Sequence, residues 1–340
     1  MDPYQLESVA RALVTPGRGI LAADESAGTI KKRLQSIQVE STEDNRRAYR
    51  ELLFTTPGVE SFISGVILFD ETIRQSSHDG KPFPELLAER GIIPGIKVDK
   101  GAVNLPGHPG EKITEGLDGL RARLDEYRDL GARFTKWRAV IDIGPEVPSL
   151  YAINANAQLL ALFAAYSQEA GLVPIVEPEV LMDGDHSLER CESVTSVTLQ
   201  SVFVELANAN VEFEGLLLKP NMVLPGKKHE RQASPAEIAE ATIRTLKRTV
   251  PAAVPGIVFL SGGQSPTQAT ENLNAINAVS DLPWEISFSY GRALQEPPLT
   301  RWGGDVSRLH DAQRAFYQRA LLNGAARSGE YAPQMETEVS

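Results

Sequence analysis

The sequence predicts an α/β protein, a single-domain (β/α)8 TIM barrel, and three observations carry that expectation. Eight short apolar runs recur along the 340 residues, segments of helical period lie between them, and charged residues stand at or near the C-terminal ends of the runs. The runs cover residues 19–23, 63–69, 92–98, 134–141, 172–176, 215–218, 256–260 and 286–290. Few alternate with polar residues, which is the pattern of parallel strands covered on both faces rather than of a sheet with one wet face.

The connecting segments justify the helical half of the prediction. Residues 42–53, 119–130, 149–170, 188–209, 235–248 and 265–277 mix polar and apolar positions with helical period. Successive strand centres are mostly about thirty to forty residues apart, room for one helix and two loops, which suits βα units better than hairpins. An open doubly wound sheet is the alternative closure, but no G-x-G-x-x-G turn follows the first strand. No low-complexity stretch or Pro/Gly linker splits the chain. The expectation is therefore one domain over residues 1–340, opening with a short N-terminal helix and ending in a frayed tail from about residue 325.

Composition excludes some partners. With 42% hydrophobic and 23% charged residues the chain can bury a sizeable core, and its formal net charge of -11 repels nucleic acid and anionic lipid at long range. An anionic substrate would need a local cluster of cations. Cys191 is the only cysteine, so no intrachain disulfide forms. The longest nearly unbroken apolar stretch, residues 157–166, is too short to span a bilayer, and residues 1–14 hold no signal-peptide core, which predicts a cytoplasmic location.

Chemistry concentrates at the strand ends. Asp24 ends the first run, Lys97 and Asp99 the third, Lys136 and Arg138 lie in the fourth, Glu177 and Glu179 end the fifth, and Lys219 ends the sixth. In a (β/α)8 barrel that end is where active sites assemble. Residues i and i+2 of a strand point the same way and stand about 6.6 Å apart, so Lys136 shares a face with Arg138, and Glu177 with Glu179. Each charge alone has an ordinary explanation: a snorkelling lysine at 219, loop carboxylates at 177 and 179, a helix cap at Asp24, a cation-aromatic contact between Lys136 and Trp137, a plain Lys97–Asp99 ion pair. Their coincidence on one rim points to acid-base chemistry. SGGQS (261–265) and YGRA (290–293) follow the seventh and eighth runs, where barrels of this type hold phosphate, and Arg292 would clamp the anion. The five histidines are scattered without metal-ligand spacing, so no metal is expected.

The segments GILAADESAGTIKKRLQSI (19–37), GVILFDET (65–72), GIKVDKG (95–101), KWRAV (136–140), NANAQLLA (154–161), VPIVEPEVL (173–181), LLLKPNMV (216–223), FLSGGQS (259–265) and FSYGRALQ (288–295) closely resemble class I fructose-1,6-bisphosphate aldolase. The likeness runs over residues 13–332, with the motifs in the family's order. It implies that Lys219 is the Schiff-base lysine and that Lys136 is the neighbouring lysine whose charge favours a nucleophilic amine. It further implies that Glu177 is the acid-base residue at the carbinolamine, Glu179 its partner, and Asp24 the carboxylate that takes the C4 hydroxyl proton. Ser261, Gly262, Gly291 and Arg292 match the C1-phosphate site; Lys97 and Arg138, with Ser26, Lys32 and Arg33, match the groups around the rest of the sugar and its C6 phosphate. Thr29 stands where many relatives have serine.

By the same resemblance the partner is a small sugar phosphate, the only cofactor-like group is the covalent Schiff base, and the assembly is a homotetramer. One departure is visible: animal relatives end in a tyrosine that serves catalysis, whereas here the last residue is Ser340 and Tyr331 lies inside, so that role is not carried over. A lysine aldolase preferring another sugar phosphate and a non-catalytic scaffold are the competing readings.

Overall fold

The computed structural model describes residues 3–338. Its strands are β1 (Gly19–Ala23), β2 (Ile63–Leu68), β3 (Ile93–Lys97), β4 (Gly101–Asn104), β5 (Lys112–Glu115), β6 (Phe134–Ile141), β7 (Val173–Val180), β8 (Leu217–Leu218), β9 (Gly256–Phe259) and β10 (Glu285–Tyr290). Eight of them close into a barrel in the order β1-β10-β9-β8-β7-β6-β3-β2, and every pair in it is parallel. The (β/α)8 barrel read from the apolar runs is the architecture found.

Helices between the strands begin where the sequence offers caps. Thr42, Ser149 and Ser187 each accept a hydrogen bond from the backbone N–H three residues on, and Ser234 with Glu237 and Ser265 with Gln268 form reciprocal capping boxes. The outward faces of the strands and the inward faces of these helices make the main apolar layer, where Trp137 stacks on Phe163 with ring centroids 5.6 Å apart. Trp137 thus faces the helices while Lys136 faces the barrel interior, as period two requires, so the two do not form the cation-aromatic contact that adjacency allowed.

Inside the barrel the same period sorts residues by height. Ile20 and Ala22 precede Asp24, Phe134 precedes Lys136 and Arg138, Val173 and Ile175 precede Glu177 and Glu179, and Leu217 precedes Lys219. The lower half is apolar and the upper half charged. The floor is closed by the helix Pro3–Leu13, whose Leu6, Ala10 and Leu13 join the interior residues in one buried cluster. Gly95 is needed here, because a Cβ at that position would collide with the Phe134 ring that fills the barrel axis.

Three features depart from the expectation. Strand β7 continues through Glu177 and Glu179 to Val180 instead of ending at residue 176, because β6 supplies a full parallel partner, Arg138 opposite Glu177 and Val140 opposite Glu179. Strands β4 and β5 form an antiparallel hairpin that no apolar run announced; it leans on β6 through Thr114 Oγ1, which donates to the Arg138 carbonyl at 2.8 Å. The segment from residue 325, expected to be frayed, is docked over its described part. The helix Leu309–Arg327 runs through its start, Tyr331 is 6% exposed, and Glu336 pairs with the buried Arg319 at 2.7 Å. Burial of one aromatic ring and one ion pair fixes a stretch whose composition reads as polar tail.

Candidate active site

Strand β1 ends at Ala23, so Asp24 is the next inward-facing residue above Ala22; β6 lifts Lys136 and Arg138, β7 lifts Glu177 and Glu179, and Lys219 follows β8 directly. The Lys219 N–H donates to the Val176 carbonyl at 2.8 Å, which extends the β7-β8 ladder by one residue and fixes the base of the lysine side chain. These side chains meet in a cavity of about 620 Å³ at the C-terminal mouth of the barrel.

All fifteen residues singled out in the sequence line that one cavity: Lys219, Glu177, Lys136, Asp24 and Glu179 in its depth, and Ser261, Gly262, Gly291, Arg292, Lys97, Arg138, Ser26, Thr29, Lys32 and Arg33 around it. Seven cationic side chains face five carboxylates there, so a locally positive well exists in a chain of net charge -11. That well suits an anionic substrate.

At the centre amines and carboxylates alternate in a chain. Asp24 Oδ2 lies 2.6 Å from Lys136 Nζ, Glu177 Oε2 lies 3.1 Å from Lys136 Nζ, and Glu177 Oε1 lies 3.2 Å from Lys219 Nζ. Lys136, Glu177 and Lys219 are each 3% exposed, which rules out a snorkelling surface lysine at 219. Burial on its own pushes the Asp24 carboxyl up, but Lys136 and then Lys219 outweigh it and hold the group well below the carboxylate range. Glu177 is treated alike: burial raises it, and Lys136, Lys219 and Arg138 bring it below its ordinary value. Burial lowers Lys136, yet Asp24, Glu177 and Asp99 reverse that and raise it, so it stays an ammonium. The cluster therefore keeps both carboxylates ionised in the resting site.

Around this centre the cations have anchors. Arg138 pairs with Glu179, and Lys97 pairs with Asp99, whose oxygens also accept the Gly101 and Arg138 backbone N–H groups, each at 3.1 Å. Arg33 and Arg50 both pair with the buried Glu25, which accepts a further bond from Gln295 Nε2 at 2.8 Å. Ser26 starts the helix Ala27–Ser36 in extended conformation without a side-chain cap, its hydroxyl lying 3.2 Å from that of Thr29. Sequence reasoning missed Glu25, Arg50 and Gln295 as the scaffold of Arg33; Arg50 lies among polar positions of the helix Glu43–Phe54, and nothing in that pattern marks it as buried.

Opposite lies a cradle of two glycine-bearing turns suited to an anion. After β9 the chain turns through Gly262 and Gly263 at φ of 58° and 85°, values only glycine adopts freely, and enters the helix Pro266–Asn277. After β10, Gly291 leads into the helix Arg292–Trp302. Two helix N-termini thus open near the Ser261 hydroxyl and the Arg292 guanidinium. Among the described residues no group of three or more His, Cys, Asp or Glu side chains is arranged to hold a metal ion.

This geometry has known relatives. The family model described as fructose-bisphosphate aldolase class-I matches residues 5–340. A protein of Xanthomonas campestris pv. campestris named probable fructose-bisphosphate aldolase class 1 is 57% identical over 332 residues, covering 97% of this chain and 99% of that one. The cytosolic fructose-bisphosphate aldolase 6 of Arabidopsis thaliana is 55% identical over 96% of this chain and 91% of its own. In a solved complex of Plasmodium falciparum fructose-bisphosphate aldolase with TRAP and a small-molecule inhibitor, the aldolase is 49% identical and superposes with a TM-score of 0.96, covering 97% of this chain and 96% of that one. A closed parallel barrel, a buried lysine at the end of β8 and likeness over nearly the whole length agree, and the chain belongs to the class-I fructose-bisphosphate aldolase family.

Proposed function

We propose that this chain cleaves and forms the C3–C4 bond of fructose 1,6-bisphosphate through a Schiff base on Lys219. The observation that supports the reading most directly is the buried chain Lys219, Glu177, Lys136, Asp24, with its contacts of 3.2, 3.1 and 2.6 Å.

The Lys219 amine attacks the C2 ketone, and Glu177 takes a proton from the attacking nitrogen. Because Glu177 is held ionised in the resting site, it must gain that proton before it can act as an acid. It then returns the proton to the carbinolamine hydroxyl, which leaves as water, and an iminium forms. Asp24, also ionised, accepts the C4 hydroxyl proton; the C3–C4 electrons flow into the iminium, giving an enamine and releasing glyceraldehyde 3-phosphate. The enamine then gains a proton at C3 while Asp24 gives one up, and hydrolysis of the iminium, which takes back the water expelled earlier, releases dihydroxyacetone phosphate and frees the Lys219 amine. Lys136 stays charged throughout and holds both carboxylates in place. Glu179 and Lys97, with Arg138, orient the sugar hydroxyls; Ser261, Gly262, Gly291 and Arg292 hold the C1 phosphate, and Ser26, Thr29, Lys32 and Arg33 the C6 end.

The iminium supplies the electron sink, so the reading calls for no metal. The cytosolic relatives support a cytoplasmic location, and family likeness supports a homotetramer, which light scattering would measure. Borohydride reduction in the presence of dihydroxyacetone phosphate should add a stable mass to the Lys219 peptide and none to a Lys219→Arg variant. An adduct on another lysine, or activity abolished by a chelator, overturns the mechanism.

A further inference from the structure

The loop after β8 brings a second cation to the anion cradle. Its backbone is zipped to the loop after β7 by three hydrogen bonds of 2.8 Å, Gly226 N–H to the His186 carbonyl, Lys227 N–H to the Met182 carbonyl and Lys228 N–H to the Gly184 carbonyl. So held, Lys227 projects over the Gly262–Gly263 turn. A Cβ placed on Gly263 would collide with Lys227 Nζ and would lie 3.1 Å from Arg292 Nη2, so both cationic heads stand over the same glycine. Lys227 has one carboxylate partner, the exposed Asp183 at 3.2 Å, and no ion pair to Arg292 occurs among the described residues.

Two like charges aimed at one point repel each other unless an anion lies between them. The turn beneath them carries backbone at positive φ, opens onto a helix N-terminus and includes the Ser261 hydroxyl. We propose that Lys227 is a further phosphate-binding residue of this site, shared with Arg292, and that it selects substrates bearing the phosphate next to the ketone. Asp183 holds the ammonium when the cradle is empty, and being exposed it releases that ammonium at little cost. The inference rests on the aldolase reading for the identity of the phosphate, but the anion site itself does not depend on turnover.

The test therefore has two arms. In the full-length protein, titration with inorganic phosphate, followed by calorimetry, should give a Kd about three- to tenfold weaker in Lys227→Gln than in wild type, with Lys227→Arg largely restored and Asp183→Asn somewhat tighter. In turnover assays Lys227→Gln should raise KM for fructose 1-phosphate by a similar factor and leave kcat within twofold. An unchanged Kd and KM in Lys227→Gln, or a rise in KM that Lys227→Arg does not repair, overturns the assignment. If wild type shows no aldol cleavage the proposed function fails instead, and the phosphate titration still decides the role of Lys227.

Discussion

Asp24 and Lys136 meet at 2.6 Å, Oδ2 to Nζ, although β1 and β6 stand three places apart round the barrel. Only closure of the sheet brings them together. The Asp24→Asn variant keeps the shape and removes the proposed base, so kcat should fall by about 10²- to 10⁴-fold with KM changed little. Circular dichroism would establish that the barrel persists; a loss below tenfold would remove Asp24 from the chemistry.

The same cluster sets a pH signature on stability. Asp24 and Glu177 are held below their ordinary values, burial being outweighed by Lys136 and Lys219. Their contribution is fully present above the ordinary carboxylate range of about 4 and is lost as pH falls below it, through the lowered folded values. Lys136 is raised, so its contribution is present up to the ordinary lysine value of about 10.4 and is lost only above that. Urea midpoints should therefore drop steeply below about pH 4, and the Lys136→Met variant should show a shallower acid slope. Identical slopes in the two proteins would refute the coupling.

Asp99 holds Lys97 directly and Arg138 through its backbone N–H. The Asp99→Asn change cancels the charge on a carboxylate 7% exposed and frees Lys97 to wander. KM for the bisphosphate should rise by about tenfold, with kcat less affected, if these cations position the sugar. An unaltered KM would leave Asp99 a purely architectural residue.

Tyr331 and Glu336 offer a test of the docked chain end. Burial, then the Glu336 carboxylate, push the Tyr331 hydroxyl up to about 12. In Glu336→Gln the ultraviolet titration of this tyrosine should move to lower pH, because a neutral amide no longer opposes the phenolate. Stability should fall by about 2 kcal/mol as buried Arg319 loses its charged partner, and turnover should not change. A loss of turnover without a loss of stability would tie this segment to catalysis.

Most of the barrel was legible because parallel strands covered on both faces must be apolar along their whole length, and eight such runs stand out between capped helices. Where the rule breaks, legibility breaks. The end of β7 carries Glu177, Pro178 and Glu179, which read as a strand stop until their partners on β6 and after β8 are known. The β4–β5 hairpin is short and largely exposed, so it leaves no hydrophobic trace. The central residues were found by their position at strand ends together with the motif resemblance. Lys227 and Glu25 were not, since their neighbours come from segments that meet only after folding.

The helix Pro3–Leu13 and the packed apolar residues above it stop the barrel opposite the charged mouth, so the cavity at that mouth is a blind chamber with a single door. Traffic through it is then ordered. On the proposed mechanism the aldehyde fragment, held by no bond once C3–C4 has broken, clears the doorway before the fragment tethered to Lys219 can follow, and in the synthetic direction the ketone enters first.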